Sequence, residues 1–258
     1  MAITKTDFMR GMQYRKMLWL DKHKPSRENR QNTLGSALSS MIWNSAHCCA
    51  VSDTKEEEMD QMDAMTALLT RRSTRNYLPK PVEGEKLDKL LAAARQAPSG
   101  GNNQTNHFLV IQNRDVLDKL VGMTESAFAE MEVDEDTYSS LRHAILASKK
   151  GGYVFCYNAP VLIVVANRRD YGNNMVDCAC AIENIMVAAN ALDLGSCWIS
   201  QLRWLNEEPA LVEYLCSLGM KAYERVYGAV IVGYPATDSG LPNRNMMAQK
   251  GNETTYID

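Results

Sequence analysis

The sequence lacks most of what specialised architectures require. It has no apolar run long enough to cross a membrane: the most apolar early stretch, Leu34 to Val51, is interrupted by Asn44, His47 and four serines. Because that stretch follows a long basic lead, it is also a poor secretory signal, and the expected location is the cytoplasm. Seven cysteines are present, but none in zinc spacing. Cys48-Cys49 and Cys178-Ala179-Cys180 are the close pairs, and neither has the two-residue gap or the second pair of ligands of a zinc site. Buried free thiols in a reducing compartment are the simpler reading, with a thiol or metal module on Cys178 and Cys180 as a distant alternative. Charge of one sign is not in excess either. Lys and Arg number 28 against 31 Asp and Glu, a formal net charge of -3, which argues against a nucleic-acid surface as the main function. Internal repeats and low-complexity tracts are absent.

What remains is an ordinary globular composition, 45% hydrophobic and 23% charged over 258 residues, enough for a core that needs no staples. Residues 1–57 differ in texture: basic between Arg10 and Arg30, then rich in small residues, then acidic at Glu56-Glu57-Glu58. They read as an accessory extension, with the main domain spanning 58–258.

From Asp60 the periodicities sharpen. Met62, Met65, Leu68 and Leu69 mark a helix ending at Arg71-Arg72, and Leu87, Leu90, Leu91 and Ala94 a second, stopped by the turn at Ala97 to Gly101. His107–Gln112 is a predicted strand and Asp115–Val121 a short helix. Thr124 to Gly152 reads as polar and mostly helical without a strong buried face. The continuous apolar run Pro160–Ala166 suits a central strand. A long helix is expected over Asp177–Leu192, a strand over Ser196–Ser200, a helix over Glu207–Leu218 and a last strand over Val226–Val232, before an irregular tail. Alternating strands and helices imply mixed α and β with one covered sheet.

Four clusters carry possible chemistry. Arg71-Arg72-Ser73-Thr74-Arg75 places three guanidinium groups and two hydroxyls within five residues, a strong local anion site. Pro98-Ser99-Gly100-Gly101-Asn102-Asn103-Gln104 combines a fixed turn, glycines that admit a ligand close to the backbone, and Ser99, Asn102 and Gln104 as donors and acceptors. Ser196, Cys197, Trp198 and Ile199 follow a glycine turn at a helix-to-strand junction, and Arg244 lies in the tail. Each alone has a plainer reading, as a helix end, a polar loop, a core strand and a tail cation. His107 and His143 are isolated histidines, more often structural than catalytic.

In order and spacing, however, the clusters resemble the nitroreductase family of FMN enzymes. The matches are Arg71–Arg75 with Tyr77, Ala97–Gln104, Asn158-Ala159-Pro160, Asp177 through Ile199, and Val232–Pro235, together covering about residues 60–245. The resemblance implies an α+β sandwich with a central mixed sheet covered by helices, in an intertwined homodimer whose C-terminal arm embraces the partner. It also implies that Arg71, Arg72, Ser73 and Arg75 hold the FMN phosphate and ring edge, that Arg244 adds a phosphate contact, and that Ser196 to Ile199 pass the flavin edge. Pro98, Ser99 and Asn102 would come from the partner subunit, with Gln104 in the same loop. NADH or NADPH would give hydride to flavin N5, and a small acceptor such as a nitroaromatic or quinone would take it on the same face, so no catalytic side chain is required. Thr124–Gly152 would be the lid. Its Glu132, Tyr138 and Lys149 are of the residue types that related reductive dehalogenases use, without their spacing. An FMN reservoir or sensor with little turnover is the alternative from another class. The chain departs from the family at Thr105-Asn106, where Pro-Trp is usual, which puts the local packing in question.

Overall fold

In the computed structural model, residues 62–248 and 250–257 are described; the proposed extension 1–57 lies outside them. Their seven helices and four strands run α1 (Ala64–Thr70), α2 (Gly84–Arg95), β1 (His107–Ile111), α3 (Arg114–Ala129), α4 (Ser139–Lys150), β2 (Val161–Arg168), α5 (Asn174–Ala191), β3 (Gly195–Ile199), α6 (Gln201–Trp204), α7 (Pro209–Ser217) and β4 (Glu224–Gly233). The sheet order is β1-β2-β4-β3. All three strand pairs are antiparallel, and parallel pairing enters only through an isolated bridge between Ser73 and Ser196.

The continuous apolar run of β2 is explained by burial on both faces. Val161, Ile163 and Val165 point to one side, where they meet Leu87 and Leu90 of α2 and Ile182, Ile185 and Ala189 of α5. Leu162, Val164 and Ala166 point to the other, into a core with Leu117 and Phe128 of α3, Ile145 of α4 and Leu211 of α7. The period-two alternation of a strand thus feeds two separate cores, and neither face can carry a polar residue cheaply. At Gly228 of β4 the sheet lies so near α5 that a Cβ would sit 2.6 Å from the Ile182 side chain.

Two expectations change. The short helix expected at Asp115–Val121 continues to Ala129, and the segment expected to lack a buried face has one. Leu117, Leu120, Thr124 and Phe128 form a single buried stripe, and Ala144, Ile145 and Ser148 bury the matching side of α4. Two hydroxyl side chains stand in that stripe and conceal it from a hydrophobicity reading. Phe128 is fully buried, edge-on to Tyr153 and Trp204 at ring-centroid distances of 6.3 and 6.4 Å. In α1 the reverse holds. Asp63 caps the helix by accepting from the Met65 and Thr66 amides, yet only Ala67 is buried, while Met65, Leu68 and Leu69 remain exposed. The short helix α6, absent from the sequence reading, turns the chain out of β3.

α2 runs antiparallel to α5. Lys86 near the start of α2 donates to the Leu192 carbonyl at the end of α5, and Asn184 donates to the Ala93 carbonyl near the end of α2. This pairing decides where the site residues fall.

Candidate functional site

The arginine cluster leaves α1 as an extended segment laid along β3. The Thr74 amide donates to the Ser196 carbonyl at 2.8 Å, and the Tyr77 hydroxyl donates to the Thr74 carbonyl at 2.7 Å. Burial holds the Tyr77 phenol far above its ordinary range, so it stays a neutral donor. A Cβ at Gly195 would lie 2.7 Å from the Thr74 side chain, so only glycine lets the two backbones approach this closely. Arg71, Arg72, Ser73 and Arg75 are therefore brought together with Ser196, Cys197, Trp198 and Ile199. The Arg71 Nε lies 3.2 Å from Glu183, and the Arg72 guanidinium donates to the Asn245 carbonyl at 2.6 Å. Among the described residues Arg75 has neither an ion-pair nor a hydrogen-bond partner.

Arg244 is brought to the same end of the domain. Its guanidinium donates to the Asn190 carbonyl and to Asp193, both at 2.6 Å, and its Nε donates to the Asn190 side chain at 3.2 Å. Asn190 is buried and in turn donates to the Ala67 carbonyl and the Thr70 hydroxyl at 3.0 Å each, tying α1, α5 and the tail together. A phosphate bound here would compete with Glu183 for Arg71 and with Asp193 for Arg244. The donors themselves, two guanidiniums beside a third and a serine hydroxyl, match a phosphate and the edge of a heteroaromatic ring.

The Pro98–Gln104 loop is not brought to this place. It follows α2, so the antiparallel pairing carries it to the start of α5. There the Gly100 amide donates to the buried Asp177 carboxylate at 3.1 and 3.3 Å, and the Tyr171 hydroxyl lies 3.1 Å from the Gly100 carbonyl and 3.0 Å from Asp177. Asp177 and Asn190 are thirteen residues apart on one straight helix, hence about 20 Å. The loop's backbone is left-handed at Gly101, Asn102 and Gln104, with φ of 62°, 54° and 51°. For Gln104 that conformation is strained, and such strain collects at functional sites. It is held by the Gln104 amide donating to the Ser99 hydroxyl at 3.0 Å and by the Gln104 side chain donating to Asn102 at 2.9 Å.

Of the unusual Thr105-Asn106, the asparagine is packed through polar contacts, whereas the buried Thr105 hydroxyl has no partner among the described residues. Asn106 donates to the Asp177 carbonyl at 3.0 Å and accepts from the buried Asn167 at 2.8 Å, and the Cys178 thiol donates to it at 3.2 Å. Burial pushes that thiol up to about 12, which opposes a reactive thiolate; Cys180, two residues on, is only half-buried and on another side of the helix. Among the described residues no group of acids, His and Cys is arranged to hold a metal ion. His107 is structural, its Nδ1 2.7 Å from the buried Glu224 carboxylate.

Beside the arginine segment lies a cavity of about 320 Å³, lined by Arg75 and Cys197 to Ile199, by Tyr153, Tyr157 and Trp204, and by Tyr138, Ser139, Ser140 and His143 from α4 and its approach. The sequence reading missed Tyr153, Tyr157, Ser200, Gln201 and Trp204. Tyr157 sits at φ 49°, a conformation rare for an aromatic residue and the clearest local mark of the site, but invisible in the letters. Of the suggested lid triad, Tyr138 lines the cavity, whereas the Lys149–Glu132 pair at 3.5 Å lies outside it. A larger cavity, about 570 Å³, is lined by Ser99, Gln104, Thr105, His107, Arg95 and Lys221 among others, and belongs to the loop end of α5.

The pattern of the Nitroreductase family matches residues 68–234. The chain belongs to the nitroreductase family. It is 30% identical to a protein of Archaeoglobus fulgidus named as a putative NADH dehydrogenase/NAD(P)H nitroreductase, over 67% of this chain and 86% of the relative. A Bacteroides fragilis nitroreductase solved with bound FMN superposes with a TM-score of 0.66 at 33% identity, covering 76% of this chain and all of that one. A second FMN-bound nitroreductase, from Desulfitobacterium hafniense, shares the fold at a TM-score of 0.63 and 23% identity, over 76% of this chain and all of that one. The α+β architecture of the nitroreductases is thus this chain's fold. No helix among the described residues is long and apolar enough to cross a membrane.

Proposed function

We propose that this nitroreductase-family chain is an NAD(P)H-dependent flavin oxidoreductase that holds FMN and reduces a small acceptor such as a nitroaromatic or a quinone. The observation that carries the reading is the arginine segment Arg71–Arg75 pinned along β3, with Arg75 at the wall of an aromatic cavity. Arg71 and Arg244 would grip the phosphate, Ser73 and Arg72 the ribityl chain and pyrimidine end, and Arg75 the ring edge. Ser196 to Ile199 form the wall against the ring. When bound, FMN would supply the two-electron chemistry that links oxidation of the nicotinamide to reduction of the acceptor. The residues contribute positive charge and fixed donors that favour an electron-rich ring, and they exclude water on the buried Cys197 and Ile199 side.

The second half of the site is supplied by another copy of the chain. Pro98, Ser99, Asn102 and Gln104 stand about 20 Å from the arginine end along α5, so a two-fold related copy is needed to bring both to one cofactor. The exposed Met65, Leu68 and Leu69 on α1 and the irregular tail after Pro235 are apolar surface such a partner would cover. In this reading the functional unit is residues 58–258, and 1–57 are an accessory extension.

The test is direct. The purified protein is expected to be yellow, and NADH or NADPH should bleach it anaerobically within seconds. A colourless protein that refuses added FMN would overturn the assignment. Bound FMN that neither nicotinamide reduces would favour a reservoir or sensor instead.

A further inference from the structure

The 320 Å³ cavity has a lining unlike a general pocket for neutral aromatics. Its floor is buried Cys197 and Ile199, and its sides are aromatic. Tyr138 and Trp204 meet edge-on at 6.2 Å, and the Gln201 amide fixes Tyr153 by donating to its hydroxyl at 2.8 Å. Burial pushes the Tyr153 phenol up, so that hydroxyl is a neutral donor rather than a phenolate. Around the exposed rim stand Arg75, His143 and the hydroxyls of Ser139 and Ser140. No carboxylate lines the cavity among the described residues, although Asp and Glu outnumber Lys and Arg in the chain. A planar ring fits between the aromatic edges, while an anionic group at the rim meets the Ser139 and Ser140 hydroxyls and His143, with no carboxylate of this chain lining the cavity to compete.

We propose that the acceptor this cavity selects is a small aromatic compound bearing a carboxylate or similar anionic group, with His143, Ser139 and Ser140 as the residues that recognise the anion. The inference rests on the flavin-reductase reading and adds to it a substrate class set by this chain's own lid residues. In the reaction used as a test, NAD(P)H and one proton convert a nitro group to nitroso, with two electrons transferred, NAD(P)⁺ formed and water leaving.

The experiment compares 4-nitrobenzoate with 4-nitrobenzamide, which share shape and differ in charge, by initial rates of NAD(P)H oxidation. Wild-type protein is expected to favour the carboxylate in kcat/KM by about tenfold, as one charge-assisted contact at a partly exposed site provides. The change should lie mainly in KM. In His143→Gln the preference should fall towards parity. In Ser140→Asp, an exposed first-turn position of α4 where an acid does not oppose the helix, it should invert. Lys149→Gln, a cation outside the cavity, should leave it intact. Benzoate, which cannot be reduced, should quench the fluorescence of the lining Trp198 and Trp204 at lower concentration than benzamide. Equal kcat/KM for the two nitro compounds, or a preference that survives both His143→Gln and Ser140→Asp, would overturn the proposal. If neither nitro compound is reduced, the flavin reading is at fault, and the benzoate titration still decides the cavity's preference independently.

Discussion

The two ends of α5 are built by different means. At its C-terminal end the buried Asn190 collects α1, the tail and Arg244 through side-chain amide bonds, and the arginine segment runs on from there along β3. At its N-terminal end the buried Asp177 holds a strained glycine loop through a backbone amide and Tyr171. In the proposed reading the first end gathers cations for an anion, and the second offers amides and a left-handed backbone to a ligand. About 20 Å of helix separates the two anchors, and in the proposed reading a second copy of the chain brings both ends to one cofactor.

The largest effects should come from the two buried anchors. Asp177→Ala strands the Gly100 amide and leaves the Tyr171 hydroxyl only the Gly100 carbonyl as acceptor, and Asn190→Ala removes the buried amide that ties the Ala67 carbonyl, the Thr70 hydroxyl and Arg244 together. Each should lower stability by about 2–3 kcal/mol, read by denaturant unfolding. A loss below 0.5 kcal/mol in either would break the comparison, because that end would then not depend on its anchor. Next, Arg71→Ala should weaken FMN retention by about 1.5–3 kcal/mol in equilibrium dialysis, moderated by Glu183, which already shares that guanidinium. Unchanged affinity would remove the phosphate role.

The division between the ends can be sharpened by mixing. Arg71→Ala and Asn102→Ala homodimers, each impaired, should on subunit exchange recover about a quarter of the sites in intact form, measured as returned flavin absorbance. No recovery despite proven exchange would place both residues in one subunit's site. The smallest effects concern groups with no part in either end. Cys178 should resist iodoacetamide at pH 8 in the folded protein and react after denaturation, since its thiol stays protonated up to about 12. Above pH 9 the unfolded thiol ionises first, so stability contributed by the buried thiol is lost as pH rises from there towards about 12. Glu132→Gln, breaking an exposed pair with Lys149, should change the melting transition by less than about 0.5 kcal/mol.

Much of this was readable residue by residue. The β2 run, the α2 and α5 stripes and the glycine turn before β3 appear in the letters because apolar burial and turn geometry leave a periodic or compositional trace. The buried stripe of α3 and α4 did not, since Thr124 and Ser148 occupy positions a hydrophobic count treats as exposed, and it was seen only once Phe128 and Ile145 were packed beneath the sheet. The arginine and serine members of the site were legible as a cluster, being adjacent in the chain. Tyr153, Tyr157, Gln201 and Trp204 were not, because they come from a loop and a one-turn helix whose meeting depends on where the sheet ends.

Sequence alone determined the element types apart from the one-turn helix α6, the cation-rich segment and the family, all of which rest on short-range pattern and order. Tertiary structure alone decided that the glycine loop and the arginine segment lie at opposite ends of α5, and that the start of α4 presents hydroxyls and a histidine to an aromatic cavity free of carboxylates among the described residues. The reason is that an antiparallel helix pair and the packing of α4 bring together residues with no relation in spacing, and only packing against a common sheet specifies which of them meet.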